Sequence, residues 1–167
     1  MINFPKFDRN QGYAYQIHNG VIMSDKLNLV ETILDDPKFS ILVKALLMTG
    51  LMNKLKEIGP FTILAPSNLA FTKLPELKLI ELMKPINKEN LAEVMKYHVI
   101  EGKMMSDDIA GFTTLGTLQG QRLRIEAMNF GFKVNGANLQ SRNIEGSNGV
   151  IHAINAVLFP AFATTAV

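Results

Sequence analysis

The chain contains no cysteine and no tryptophan. Without cysteine there is no disulfide, no thiol nucleophile, no iron–sulfur cluster and no Cys-based zinc site. Histidine is scarce: His18, His98 and His152 are scattered, and no HExxH run occurs. No metal site and no cofactor are expected. Arginine is scarce as well, confined to Arg9, Arg122, Arg124 and Arg142. A phosphate reader is usually richer in Arg and clusters it. Net charge is only +2, from 17 basic and 15 acidic residues. The pI of 8.8 reflects that small imbalance, so no nucleic-acid partner is expected.

The chain also lacks a long apolar run. Its longest uncharged stretch, Gly146 to Val167, is interrupted by Asn148, His152, Asn155 and Pro160. It alternates like a strand, so no transmembrane segment is read in this chain. The first residues, Met1 to Arg9, hold no basic segment followed by an apolar stretch and are not a signal peptide. The expectation is therefore either an intracellular protein or one whose leader has been left out of this chain. Gly-x-Ser-x-Gly, Walker and Gly-x-Gly-x-x-Gly motifs are missing, and so is any Asn-x-Ser/Thr acceptor. Asp107 and Asp108 are adjacent and diverge on a helix, so they make no carboxylate dyad. After Ser106 they suit the positive end of a short helix. No catalytic residue is assigned, and the chain is read as not an enzyme.

What is present is a core. The 167 residues are 47% apolar and 19% charged, enough for one ordinary domain. Residues 1–26 lack clear periodicity but are too aromatic for a plain linker, so they are read as an N-terminal extension that partly packs. Residues 27–160 form the domain, and 161–167 a tail. The front of the domain has helical spacing. Leu29, Val30, Ile33 and Leu34 follow Asn28 as a cap; Phe39, Leu42, Val43, Leu46 and Leu47 follow Asp36-Pro37 and end at Gly50. Phe61–Ala65 reads as a buried strand stopped by Pro66, with Ser67 or Asn68 capping the next helix. Tyr97-His98-Val99-Ile100 reads as extended, which would point Tyr97 and His98 to opposite faces. From residue 112 the period drops to 2, and Asn135-Gly136 and Asn148-Gly149 mark hairpin turns. Helices first and strands later, without βαβ alternation, predict an α+β fold with a mostly antiparallel sheet.

Three blocks carry a resemblance. Thr62-Ile63-Leu64-Ala65-Pro66-Ser67-Asn68-Leu69-Ala70-Phe71, then Tyr97-His98-Val99-Ile100, then Asn148-Gly149-Val150-Ile151-His152-Ala153-Ile154-Asn155 through Pro160 resemble the signature elements of fasciclin (FAS1) domains in order and spacing. The resemblance covers about Leu27 to Pro160. It implies a FAS1 wedge, a small antiparallel β-sandwich flanked by several short helices. It also implies a non-enzymatic interaction module for cell adhesion, meeting a protein or glycan at the cell surface or matrix, in an extracellular or cell-envelope location. Tyr97 and His98, with Asn143 and Ile144, are the partner-binding candidates the resemblance points to. Two departures matter. Asn155 stands where family members usually carry Asp, and Asn143-Ile144 where integrin-binding animal relatives have Asp-Ile. Integrin recognition commonly uses a carboxylate on a metal, and Asn is a poor substitute, so animal-type integrin binding is not expected.

Other readings attach to single features. Pro66, Ser67, Asn68 and His152 read as structural. Arg122 and Arg124 share one strand face, with Arg142 near them, which reads as a solvated face or, less simply, as a site for an acidic glycan or protein. Met48, Met52, Met83, Met95, Met104 and Met105 fall in or beside the helical half. They fill core space or line an adaptable groove. The latter would make the protein a carrier of a small hydrophobic ligand such as a carotenoid or lipid.

Overall fold

The computed structural model describes the backbone of residues 6–8, 13–18 and 21–26, and the whole of residues 27–57 and 59–161. The expectation that aromatic side chains of residues 1–26 pack on the domain lies outside the described residues, as does the tail beyond residue 161.

Three strands open the chain: β1 (Lys6–Asp8), β2 (Tyr13–His18) and β3 (Val21–Lys26), in a sheet of that order. They were not expected from the weak periodicity there. His18 pairs with Val21 across Asn19-Gly20, a two-residue hairpin signal of the same kind as the later Asn-Gly pairs.

The helical half follows. It comprises α1 (Leu29–Asp35), a 3-10 turn at Pro37–Phe39, α2 (Ser40–Thr49) and α3 (Leu51–Leu55). Asn28 caps α1 as expected: its Oδ1 accepts from the Glu31 amide at 2.8 Å, and Glu31 Oε1 accepts from the Asn28 amide at 2.9 Å. Such reciprocal caps contribute about 1 kcal/mol. Strand β4 (Phe61–Pro66) then leads to α4 (Asn68–Thr72), α5 (Glu76–Leu82), a 3-10 turn at Pro85–Asn87 and α6 (Lys88–Lys96). Ser67 holds the N-cap position of α4 without a side-chain bond. Asn68 reaches back instead. Its Oδ1 accepts from the Ile41 amide at 2.9 Å, and its Nδ2 donates to the Pro37 carbonyl and Ser40 Oγ. This residue therefore fastens the start of α2 rather than its own helix.

Tyr97 and His98 do not lie in a strand. They form the turn that closes α6, and β5 (Val99–Glu101) begins after them. The apolar spacing of Leu91, Val94 and Met95 carries the helix up to this turn. Both side chains are buried, Tyr97 at 4% and His98 at 1% exposure.

After α7 (Ser106–Ala110) come β6 (Thr114–Gly116), β7 (Arg122–Ala127), β8 (Phe132–Val134), β9 (Ala137–Gly146) and β10 (Gly149–Ile154). Seven strands form one sheet in the order β5-β4-β10-β9-β8-β7-β6. Every pairing is antiparallel except the second from the β5 edge, where β10 runs parallel to β4 with Gly149 opposite Phe61. The turn at Asn135-Gly136 has φ of 47° and 84°, a geometry that Asn and Gly accept most cheaply. It joins Val134 to Ala137 as the sequence predicts. The last strand ends at Ile154. There Asn155 Oδ1 accepts from the Asn138 amide at 2.9 Å, and the Asn155 amide donates to the Asn138 carbonyl.

Strands β4 and β10 divide the interior. Ile63 and Ala65 of β4, with Ile151 and Ala153 of β10, pack against Leu29, Ile33, Phe39, Leu42, Phe71 and Leu91 from the helices. The alternate residues Leu64 and Ile154 join Tyr97, Ile109, Leu123, Phe132 and Val134 inside the sandwich. Period-2 alternation in two neighbouring strands thus makes two cores back to back.

Candidate functional site

The residues that mark the three blocks meet around the β4–β10 seam, and each is held by specific bonds. Asn148 is the first. It sits in the β9–β10 turn, and its Nδ2 donates to the Leu55 and Glu57 carbonyls, both at 2.7 Å. Its Oδ1 accepts from the Leu29 amide at 2.9 Å. Its own carbonyl accepts from Phe61, the first residue of β4. One side-chain amide therefore ties α1, the end of α3 and the sheet together. Asn148 does not have a positive φ; its role is bonding, not the turn strain expected of it. Gly149 follows because of space. A Cβ there would stand 1.8 Å from the Phe61 carbonyl oxygen, a separation no side chain tolerates.

The second group is Tyr97 with His98. The Tyr97 hydroxyl donates to the Arg122 carbonyl at 3.0 Å and accepts from Asn135 Nδ2 at 3.0 Å. Asn135 Oδ1 in turn accepts from the Arg124 amide at 2.7 Å. His98 Nδ1–H donates to the Val94 carbonyl at 2.7 Å, which leaves Nε2 as acceptor for the Leu158 amide at 2.9 Å. The ring joins the end of α6 to the segment after β10. Burial pushes its pKa down from 6.5 to about 4, against the opposing pull of the Val94 carbonyl. It is neutral at pH 7.

The third group fastens the segment between β5 and α7. Thr62 Oγ1 donates to the Gly102 carbonyl at 2.7 Å and accepts from the Met104 amide at 2.8 Å. His152, fully buried on β10, donates from Nε2 to the Met104 carbonyl at 2.9 Å. Its Nδ1 accepts from the Asn143 amide at 3.1 Å. That amide is free for a reason. The β9–β10 register slips between Ile151 and Ala153, and Asn143 takes a φ of 58°. The bulge leaves an N–H without a ladder partner, and the imidazole supplies one. Asn143 Oδ1 then accepts from the Ser106 amide at 2.8 Å, and its Nδ2 donates to Ser106 Oγ at 3.2 Å. Phe132 stands edge-on to the His152 ring at 5.7 Å. Burial lowers the His152 pKa; the Met104 carbonyl opposes this and Arg142 reinforces it.

The sequence-stated candidates therefore fall into two places. Tyr97 and His98 are interior, and all their polar side-chain atoms are engaged. Asn143 is exposed and Ile144 half-buried, although the Asn143 side-chain amide is bonded to Ser106. Arg122, Arg124 and Arg142 are exposed. Arg122 lies along Thr114, donating to its hydroxyl at 3.0 Å. Met52 and Met95 are core residues, and Met48 and Met83 pack partly against them. Asp108 Oδ2 accepts from the Met105 amide at 3.0 Å and starts α7, as its position after Ser106 suggests. Sequence reasoning missed Thr62, Ser106 and the side chain of Asn135. A hydroxyl inside the apolar run Phe61–Ala65 was the one available signal. Among the described residues no cluster of His, Asp and Glu is placed to hold a metal ion, and no helix is long and apolar enough to cross a membrane.

This arrangement of a seven-stranded sheet, short helices and inward-facing polar fasteners defines a class, and comparison with known proteins names it. Residues 37–160 match the model of the Fasciclin domain family. The chain belongs to that family. It is 36% identical over 131 residues to the uncharacterized protein sll1735 of Synechocystis sp. (strain ATCC 27184 / PCC 6803 / Kazusa), covering 78% of this chain and 96% of that protein. It is 35% identical over 132 residues to the transforming growth factor-beta-induced protein ig-h3 of Oryctolagus cuniculus, covering 79% of this chain but 19% of that longer protein. Its fold resembles the solved FAS1 domain pair from the insect cell adhesion molecule fasciclin I. There the TM-score is 0.73 at 15% identity, over 96% of this chain and 68% of the other.

Proposed function

We propose that this FAS1 domain is a non-enzymatic interaction module that binds a protein or glycan partner at the cell envelope or outside the cell. The observation that carries this reading is the direction of the hallmark side chains. Asn148, Tyr97, His98, Thr62 and His152 are committed to internal bonds, and the buried imidazoles are held neutral between backbone groups rather than facing a reaction cleft. Such groups build a scaffold and leave docking to its exterior. Kinship with the transforming growth factor-beta-induced protein ig-h3, and the fold shared with an insect cell adhesion molecule, support this reading.

The contact surface in this proposal runs over the exposed Asn143 and Arg142 and the accessible part of the half-buried Ile144. Tyr97 and His98 act from beneath, by setting the strands a partner meets. A glycan or acidic protein suits the exposed Arg122, Arg124 and Arg142, where charge attracts and screening by salt weakens the contact. The test is solid-phase binding of the purified domain to native cell-surface and matrix fractions. Saturable binding that weakens several-fold in Arg142→Glu is expected. Binding no greater than that of an unrelated protein of equal charge would overturn the proposal, and so would turnover in broad esterase or glycosidase screens.

A further inference from the structure

The segment from Gly102 to Ser106 carries α7 across the sandwich, and Ile109 of α7 is fully buried against its core. The fastening of this strap is unusual. It holds no strand pairing of its own between Lys103 and Met105, and it is attached to the sheet chiefly through side chains. Thr62 takes the Met104 amide, His152 the Met104 carbonyl and Asn143 the Ser106 amide. Of these fasteners only His152 is an ionisable side chain. Both its ring nitrogens have fixed duties: Nε2 donates to Met104 and Nδ1 must accept from the bulged amide of Asn143. A second proton on the ring can only go to Nδ1, where it would face that N–H donor to donor. The same Asn143 holds Ser106, so disturbing the bulge loosens the strap at two points.

We propose that His152 is an acid-sensitive latch: its protonation releases the 102–106 strap and lifts α7 from the sandwich before the rest of the sheet opens. The charged groups on the surrounding elements fit this direction. Arg142 on β9 opposes a charged ring, and Lys133 is the charged residue of β8. Asp107 and Asp108 on α7 would favour one, and Asp108 is already engaged at the Met105 amide. Lys103 of the strap pairs with Glu145 of β9 at 2.6 Å, a surface link screened by solvent. Strand β4, next to the ring, carries no charged residue. The released state exposes Ile109 and the Leu64, Leu123 and Phe132 side of the core.

Hydrogen exchange of the full chain, read residue by residue and corrected for the intrinsic pH effect, tests the latch. Between pH 7.5 and 5.5 the α7 amides, Ile109 above all, are expected to exchange several-fold and up to about tenfold faster relative to those of Ile151 and Ala153, the most that one imidazole can supply over this window. His152→Gln, which cannot charge, should abolish that pH response. The latch is overturned if α7 and β10 lose protection in step, or if His152→Gln keeps the response. Should the variant fail to fold, nitrogen chemical shifts of the wild-type ring decide. A ring that charges as α7 opens supports the latch, and one still neutral when α7 is open contradicts it.

Discussion

The two cores on either side of the β4–β10 seam are held by different physics. On the helical side the contacts are apolar and large: Leu29, Ile33, Phe39, Leu42, Phe71 and Leu91 are all nearly inaccessible to water. On the sandwich side the apolar residues are interleaved with buried polar groups, Thr62, His98 and His152, each bonded to backbone. Apolar burial is indifferent to direction and to pH, whereas a buried imidazole holds only in one protonation state. The helical half should therefore fail by loss of volume and the sandwich half by loss of particular bonds.

The largest effect is expected where the two sides touch. Gly149→Ala would drive a Cβ into the Phe61 carbonyl and should remove more than about 4 kcal/mol, beyond the ordinary range for one substitution. Soluble expression and a thermal melt would show it. Phe71→Ala should cost about 3–5 kcal/mol through an unfilled cavity. Measured by urea titration, that loss should be the same at pH 7.5 and 5.5, which marks the helical core as insensitive to charge.

The sandwich side should behave in the opposite way. His98 is held at about 4 in the folded protein against 6.5 ordinarily. Its contribution is complete above pH 6.5. Below that the unfolded chain takes up a proton that the folded one refuses, and stability falls until about pH 4. The gap corresponds to about 3 kcal/mol, with His152 adding in the same direction. Urea midpoints across this window should drop steadily; a flat profile would remove the distinction between the two cores. Next comes Asn148→Ala, which strands the Leu29 amide and the Leu55 and Glu57 carbonyls. It should cost about 2–3 kcal/mol by urea titration.

Local signals were readable in the sequence. The Asn28 cap, the Asn135-Gly136 turn and the shift from helical to alternating period each depend on neighbours in the chain. The same logic was present but overlooked at Asn19-Gly20, because the short flanking segments carry no clean alternation. The placement of Tyr97 and His98 was misread. Tyr97-His98-Val99-Ile100 suits a strand on composition, and only the reach of α6 decides where that strand begins. The parallel seam joining Phe61 to Gly149, and the duties of Thr62, Asn143 and Asn148, depend on partners far away in the sequence. No periodicity encodes them. The family blocks single out Thr62 and Asn148 without naming the distant groups they bond to.

Tyr97→Phe puts the internal role of the hallmark side chains to the most direct test, since it keeps the ring and deletes only the hydroxyl that joins Arg122 and Asn135. The melting temperature and the binding to native cell-surface and matrix fractions should be measured on the same preparation. A loss of about 1–2 kcal/mol in stability with binding unchanged is the expected result. An unaltered melt with binding abolished would show that the hydroxyl faces a partner after all.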